Sequence, residues 1–296
     1  MRIMKIIFAI LCMTSFSMAQ RNKDISVLKQ RVDSVLDSSA GTYAVAFKDL
    51  STGMQLYINE KEYYHVASTM KTPVMIEVFR QAELRKFSLD DSIEVINSFK
   101  SIIDGSEYSL EVSDDGEDGL YTSIGKKESI RNLVFKMITV SSNLATNILI
   151  GKVGPGNVMK TMGEMGLKDI QVLRGVEDGK AYKAGRNNTT TAYDLSVIFE
   201  QIARKKAVSP SASEAMIEIL LAQKFKSMIP GQLPAGVKVA HKTGSIANVQ
   251  HDSGIIFLPD ERMYVLVILS KDLKSSNDGI KTIATLSRII YDFVVE

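Results

Sequence analysis

Strand-like apolar alternation is confined to the two ends of this 296-residue chain, and helical periodicity fills the stretch between them. Near the N-terminus, Ile25, Leu28, Val32, Val35 and Leu36 recur at helical spacing over residues 24–36. Two strand-like stretches follow, 42–47 and 54–58, joined by the Ser51-Thr52-Gly53 turn. Near the C-terminus, 237–241, 254–258 and 263–270 are rich in Val and Ile, and a last helical pattern over 277–294 places Ile280, Ile283, Leu286, Ile290 and Phe293 on one side. Strands need an apolar face covered, and the terminal helices are the elements available to cover it. The pattern predicts an α+β fold in which both chain ends build an antiparallel five-stranded sheet flanked by helices (20–66 and 206–296), with an all-helical domain (67–205) inserted between them. Helical patterns run over 69–85, 127–138, 142–153, 156–165, 192–203 and 211–221; the stretches 104–125 and 174–190 are aperiodic. Connections longer than about 12–15 residues are more often functional or disordered than mere links.

Residues 1–19 carry Arg2, Lys5, an apolar run from Ile6 to Met13 and the end Ser17-Met18-Ala19, which fits a secretory signal cleaved before Gln20. The run is too short to span a bilayer, and Leu11 does not suit a lipoprotein acceptor at Cys12. The expected product is periplasmic or secreted, monomeric and without a membrane anchor. Its 34 basic and 34 acidic residues lack the basic excess of a nucleic-acid binder. Loss of Cys12 removes disulfides, thiolate metal sites and a Cys nucleophile from consideration. His65, His241 and His251 fall at no zinc-binding spacing, so neither metal nor cofactor is expected. The run Asp114-Asp115-Gly116-Glu117-Asp118-Gly119 fails the calcium-loop pattern, with Gly116 at its third position and Gly125 at its twelfth, and reads as a solvated acidic loop.

Three polar motifs carry the chemistry: Ser68-Thr69-Met70-Lys71, Ser141-Ser142-Asn143 and Lys242-Thr243-Gly244. Singly each is close to chance, since Ser-x-x-Lys recurs at Ser26–Lys29 and Ser123–Lys126, and Ser-x-Asn at Ser275–Asn277. Their ordered set points to a serine hydrolase. Residues three apart on a helix share a face, so Lys71 would lie beside the Ser68 hydroxyl as its base, provided that burial and a second cation such as Lys242 keep the amine neutral. Lys242-Thr243-Gly244 closes the 237–241 strand. There Gly244 admits substrate backbone, the Ser245 N–H pairs with that of Ser68 as an oxyanion hole, and Lys242 with Thr243 holds a substrate carboxylate. Ser141 would relay a proton to the leaving group and Asn143 orient substrate and Lys71. The bland alternatives are a helix cap at Ser68, a cap at Ser141–Asn143 and an ordinary turn at Thr243-Gly244.

This ordered set resembles the penicillin-recognising serine hydrolases, most closely the class A β-lactamases. The resemblance spans nearly the whole chain beyond residue 19, and the gaps of 73 and 101 residues between motifs suit it. It implies that Ser68 is acylated, Lys71 is the acylation base, Ser141 the proton relay, Asn143 a substrate and lysine anchor, and Lys242 with Thr243 the carboxylate clamp. It also implies that 174–190 is an omega-like loop whose glutamate, Glu177, aligns the water that hydrolyses the acyl-enzyme. Three departures stand out. The family's Glu-x-x-Leu-Asn is replaced by Glu177-Asp178-Gly179-Lys180-Ala181, which leaves Asn187 or Asn188 as substitutes for the missing asparagine. Ser142 replaces the middle aspartate of the second motif, and His251 with Asp252 stands near the usual arginine, as a possible carboxylate contact or as a pair with each other. These departures touch deacylation more than acylation. The expected activity is therefore hydrolysis of a small-molecule β-lactam. A related serine amidase or D-Ala-D-Ala carboxypeptidase-like hydrolase with slow β-lactam deacylation is the alternative, and a catalytically inactive binding domain is the reading from another class.

Overall fold

The computed structural model describes residues 23–296, so the expected signal segment lies outside the described residues. Chain order begins with α1 (Ile25–Ser38), started by the Asp24 side chain accepting from Ser26 N. The hairpin β1 (Thr42–Asp49) and β2 (Gln55–Ile58), the short β3 (Tyr64–His65) and the long α2 (Lys71–Glu83) follow. Next come β4 (Ser92–Glu94), β5 (Phe99–Lys100), β6 (Glu107–Tyr108) and β7 (Lys127–Ser129), then α3 (Ile130–Thr139), α4 (Asn143–Val153) and α5 (Pro155–Glu164). After α6 (Gly179–Lys183) and β8 (Thr189–Thr190), α7 (Ala192–Ala203) and α8 (Pro210–Leu221) lead to β9 (Lys238–Ile246), β10 (Val249–Phe257), β11 (Met263–Lys271) and α9 (Ser276–Val295).

The main sheet has five antiparallel strands in the order β2-β1-β11-β10-β9, so the two chain ends meet along the β1–β11 ladder, where Val45 faces Ile268 and Phe47 faces Leu266. Alternation along each strand sends side chains to opposite faces. Val45, Phe47, Leu266 and Ile268 join a core with Leu28 and Val32 of α1 and Ile283, Leu286 and Ile290 of α9. Ala44, Ala46, Val265, Val267 and Leu269 face the larger core containing α2, α3, α4, α7 and α8. The predicted five-stranded α+β architecture is therefore the one observed.

Three local differences from the sequence pattern have physical causes. Residues 127–129 are not helical but pair with β4, and Ser129 caps α3 by accepting from Asn132 N. The aperiodic 174–190 contains α6, capped by Asp178. Lys242-Thr243-Gly244 lies inside β9 instead of closing a strand at 241, because the ladder to β10 continues through Lys242↔Ser253, Thr243↔Asp252 and Gly244↔His251.

Candidate active site

Ser68 sits in a 3₁₀ turn, Ala67–Met70, that runs directly into α2 at Lys71. With three residues per turn, positions i and i+3 eclipse, which stacks Lys71 over Ser68. Ala67 just before it is held at φ +46, with its N–H donating to His65 Nδ1 at 3.1 Å. A left-handed alanine costs about 1–3 kcal/mol, so the surrounding contacts must enforce it.

Lys71 is fully buried, and its Nζ donates to Ser141 O (2.5 Å), Ser141 Oγ (3.1 Å) and Asn143 Oδ1 (2.8 Å). Among the described residues, no hydrogen bond joins Nζ to the Ser68 hydroxyl. Burial pushes the Lys71 amine down to about 7, against the opposing charges of Asp115 and Glu177. Lys242 is also fully buried, and its Nζ donates to Ser141 Oγ (3.0 Å) and Thr243 O (2.8 Å). Desolvation, then the neighbouring Lys71 charge, holds it well below the ordinary lysine range. Ser141, at φ +61, thus accepts from both lysines with the two lone pairs of its hydroxyl, leaving its O–H free to donate to a third group.

Strand β9 closes against the Ser68 turn. A Cβ on Gly244 would lie 3.2 Å from Ala67 Cβ, Ser68 N and Thr69 Cγ2, so only glycine lets the strand approach this N–H without displacement. The exposed Ser245 is tied back to β10 by Gln250 Nε2 (2.7 Å). The structure therefore brings Ser68, Lys71, Ser141, Asn143, Lys242, Thr243 and Gly244 into one cluster.

Glu177 is placed differently. It is solvent-exposed at φ +59 and accepts no hydrogen bond among the described residues, although its charge reaches Lys71. The loop residue fastened to the helical core is instead Val176, whose N–H donates to Asn147 Oδ1 (2.7 Å) and whose carbonyl accepts from Asn147 Nδ2 (3.0 Å). A Cβ on Gly175 would lie 2.2 Å from Asn147 Oδ1, which explains the glycine. Asn147 was missed in the sequence because it belongs to none of the three motifs.

Asn187 and Asn188, the candidates to replace the missing asparagine, are both hydrogen-bonded to Arg174. Asn188 is buried at the neck of the loop, where its Oδ1 accepts from Leu173 N (2.7 Å) and Arg174 N (3.3 Å) and its Nδ2 donates to Arg174 O (2.9 Å). Asn187 Oδ1 accepts from Arg174 Nη2 (3.3 Å). His251 neither contacts the cluster's open side nor pairs with Asp252. It is buried, with Nε2 donating to His65 O (2.8 Å) and Nδ1 accepting from Ser270 N (3.0 Å), and burial pushes it down to about 4. Asp252 pairs with His241 at 2.9 Å.

The acidic loop is not simply solvated. Glu117 pairs with Lys136 (2.7 Å), Asp104 with Lys180 (2.6 Å), and Asp115 is half-buried against the Ser141–Asn143 turn. Among the described residues no cluster of three or more His, Cys, Asp or Glu side chains is arranged to hold a metal ion.

This fold is shared with solved structures. A β-lactamase from Sphaerobacter thermophilus DSM 20745 superposes with a TM-score of 0.78 at 23% identity, over 92% of this chain and 97% of that chain. PBP-A superposes with a TM-score of 0.77 at 22% identity over 92% and 97%, and a PBP-A variant of equal similarity was solved as an acyl-enzyme complex with penicillin G. Residues 27–294 match the Beta-lactamase enzyme family, and the chain belongs to that family. Among curated relatives, the extended-spectrum β-lactamase PER-1 of Pseudomonas aeruginosa is 24% identical over 308 residues, covering 96% of this chain and 92% of the relative.

Proposed function

We propose that the protein is an exported, class A-like serine β-lactamase that opens β-lactam rings through an acyl-enzyme on Ser68. The observation that carries this reading is Ser141 Oγ bridging two buried lysine amines beside Ser68. With its pKa near 7, about half of Lys71 is neutral at neutral pH, against roughly one in 10³ for an ordinary lysine. Neutral Lys71 takes the Ser68 proton as Oγ attacks the β-lactam carbonyl carbon, and the Ser68 and Ser245 N–H groups receive the developing oxyanion. Ser141 donates its free proton to the ring nitrogen as the C–N bond breaks, and is reprotonated through the lysines. Asn143 holds Lys71 and the substrate amide, while Lys242 and Thr243 hold the substrate carboxylate.

Deacylation falls to Glu177, the carboxylate of the 174–190 loop whose charge reaches Lys71. It takes a proton from the water as the water oxygen attacks the ester carbon, and that proton passes to Ser68 Oγ as the C–O bond breaks, which restores both the carboxylate and the serine hydroxyl. The exposed, unbonded state of Glu177 also favours a second reading, a penicillin-binding hydrolase of related amides whose β-lactam acyl-enzyme is long-lived. Intact mass followed over time with benzylpenicillin separates the two. Turnover with a transient adduct, lost in Ser68→Ala and trapped in Glu177→Gln, is the expected result. A lasting adduct on the unmodified protein establishes the second reading, and absence of both adduct and turnover overturns the proposal.

A further inference from the structure

The loop that looked merely acidic supplies an anchor to the site. We infer that Asp115 is a positioning residue for acylation: reaching in from the 104–125 loop, its carboxylate fastens the N-terminus of α4 and so holds Asn143 against Lys71. This rests on the proposed Ser68 acylation for its kinetic consequence, but the anchor itself rests on geometry.

The first N–H groups of a helix have no partner within it, and each needs one from elsewhere. In α4 all are accounted for. Asn143 N donates to Asp115 Oδ1 and Leu144 N to Asp115 Oδ2, each at 2.9 Å, Ala145 N donates to Ser142 Oγ (3.3 Å), and Thr146 N to Ser142 O (3.2 Å). Asp115 Oδ2 also accepts from Ser142 Oγ (3.3 Å) and Tyr121 OH (3.1 Å). A carboxylate on a helix N-terminus is further favoured by the helix dipole. The same loop orients the Asn143 side chain, whose Nδ2 donates to Asp114 O (2.8 Å) while Oδ1 accepts from Lys71 Nζ (2.8 Å). That division fixes the amide with its oxygen toward the lysine.

Contact between loop and turn is tight. A Cβ on Gly116 would lie 2.1 Å from Val140 O, so any side chain there must push the loop away from the residue preceding Ser141. Charge adds a second link: Asp115 and Glu177 are the anions facing Lys71, and Lys242 is the cation beside it. Removing the Asp115 charge therefore favours neutral Lys71 down to lower pH, even as it weakens the anchor.

The experiment measures second-order labelling of Ser68 by a fluorescent penicillin across pH in the full-length exported protein, comparing Asp115→Asn, Asp115→Ala and Gly116→Ala with Asp118→Asn. Asp118 is an exposed acid of the same loop, and its replacement controls for charge. Loss of charge-assisted hydrogen bonds predicts about 10- to 100-fold slower labelling in both Asp115 variants and in Gly116→Ala, with Asp118→Asn unchanged. The acid limb moves to lower pH in the Asp115 variants, a shift that general loosening of the fold does not produce. Amide hydrogen exchange over residues 141–147 reads the anchor independently of chemistry and should accelerate in Asp115→Ala. Labelling rate and limb equal to wild type, or unchanged exchange, overturns the inference. A wild-type protein that is neither labelled nor turns the penicillin over overturns the proposed function instead, and exchange alone then decides whether Asp115 anchors the helix.

Discussion

A primary amine without exposed surface loses the hydration that favours its charge, and Lys71 is such a group beside a second buried lysine. If its neutral form is the acylation base, labelling of Ser68 by penicillin rises with pH along a limb near 7, and Lys71→Ala slows it by about 10²- to 10⁴-fold. A limb above pH 9 in stopped-flow measurements would show that ordinary, solvated lysine chemistry operates. The same depression bears on stability. Unfolded lysine keeps its proton to about pH 10.4, so the destabilisation is full below pH 7 and fades as pH rises toward the unfolded value. Lys71→Met should therefore raise the thermal midpoint by at least about 2 °C at pH 6 and by less at pH 9, in scanning calorimetry. At this scale, the Ser68–Lys71 pair was legible because a spacing of three on a helix places both residues on one face, whereas Ser141, Asn143 and Lys242 were legible through the resemblance of the ordered motif set to a known family. Asp115 and Asn147 were not, because each acts through a partner about 30 residues away that no local pattern marks.

Elements explain how a polar motif sits within a strand. Val and Ile enrichment ends at 241, yet β9 continues to Ile246 because backbone pairing with β10 is indifferent to whether the side chain is Lys242 or valine. The 174–190 loop follows the opposite logic, since its short α6 is too brief to leave a periodic signature and it is held by side-chain amides at Asn147 and Asn188. Asn147→Ala strands the Val176 N–H and leaves its carbonyl only the Tyr108 hydroxyl (3.2 Å), and should destabilise the fold by about 1–3 kcal/mol in urea titration. If this loop carries deacylation, the acyl-enzyme lifetime in that variant lengthens more than the acylation rate falls, and equal effects on both steps would separate the loop from the water's attack.

Across the whole molecule, one sheet divides two cores, and β11 is buried on both faces. Ile268→Ala, facing α1 and α9, should cost about 2–5 kcal/mol by chemical denaturation without changing the labelling limb, because it lies on the sheet face opposite α2. His251 joins the sheet to the Ser68 turn through His65 O, and it is buried and neutral. An unfolded histidine takes a proton near pH 6.5 and the folded one near 4, so its contribution is intact above 6.5 and is lost as pH falls toward 4, by up to about 3 kcal/mol. His251→Gln should flatten that part of the stability curve. Sequence alone determined the sheet from both chain ends and the Ser68–Lys71 pair, because apolar periodicity and i to i+3 spacing are local consequences of backbone geometry. Only tertiary structure decided that Asp115 anchors α4, that Val176 and not Glu177 is fastened to Asn147, and that His251 faces inward. Those outcomes depend on how distant segments meet, and no residue's immediate neighbours encode that distance.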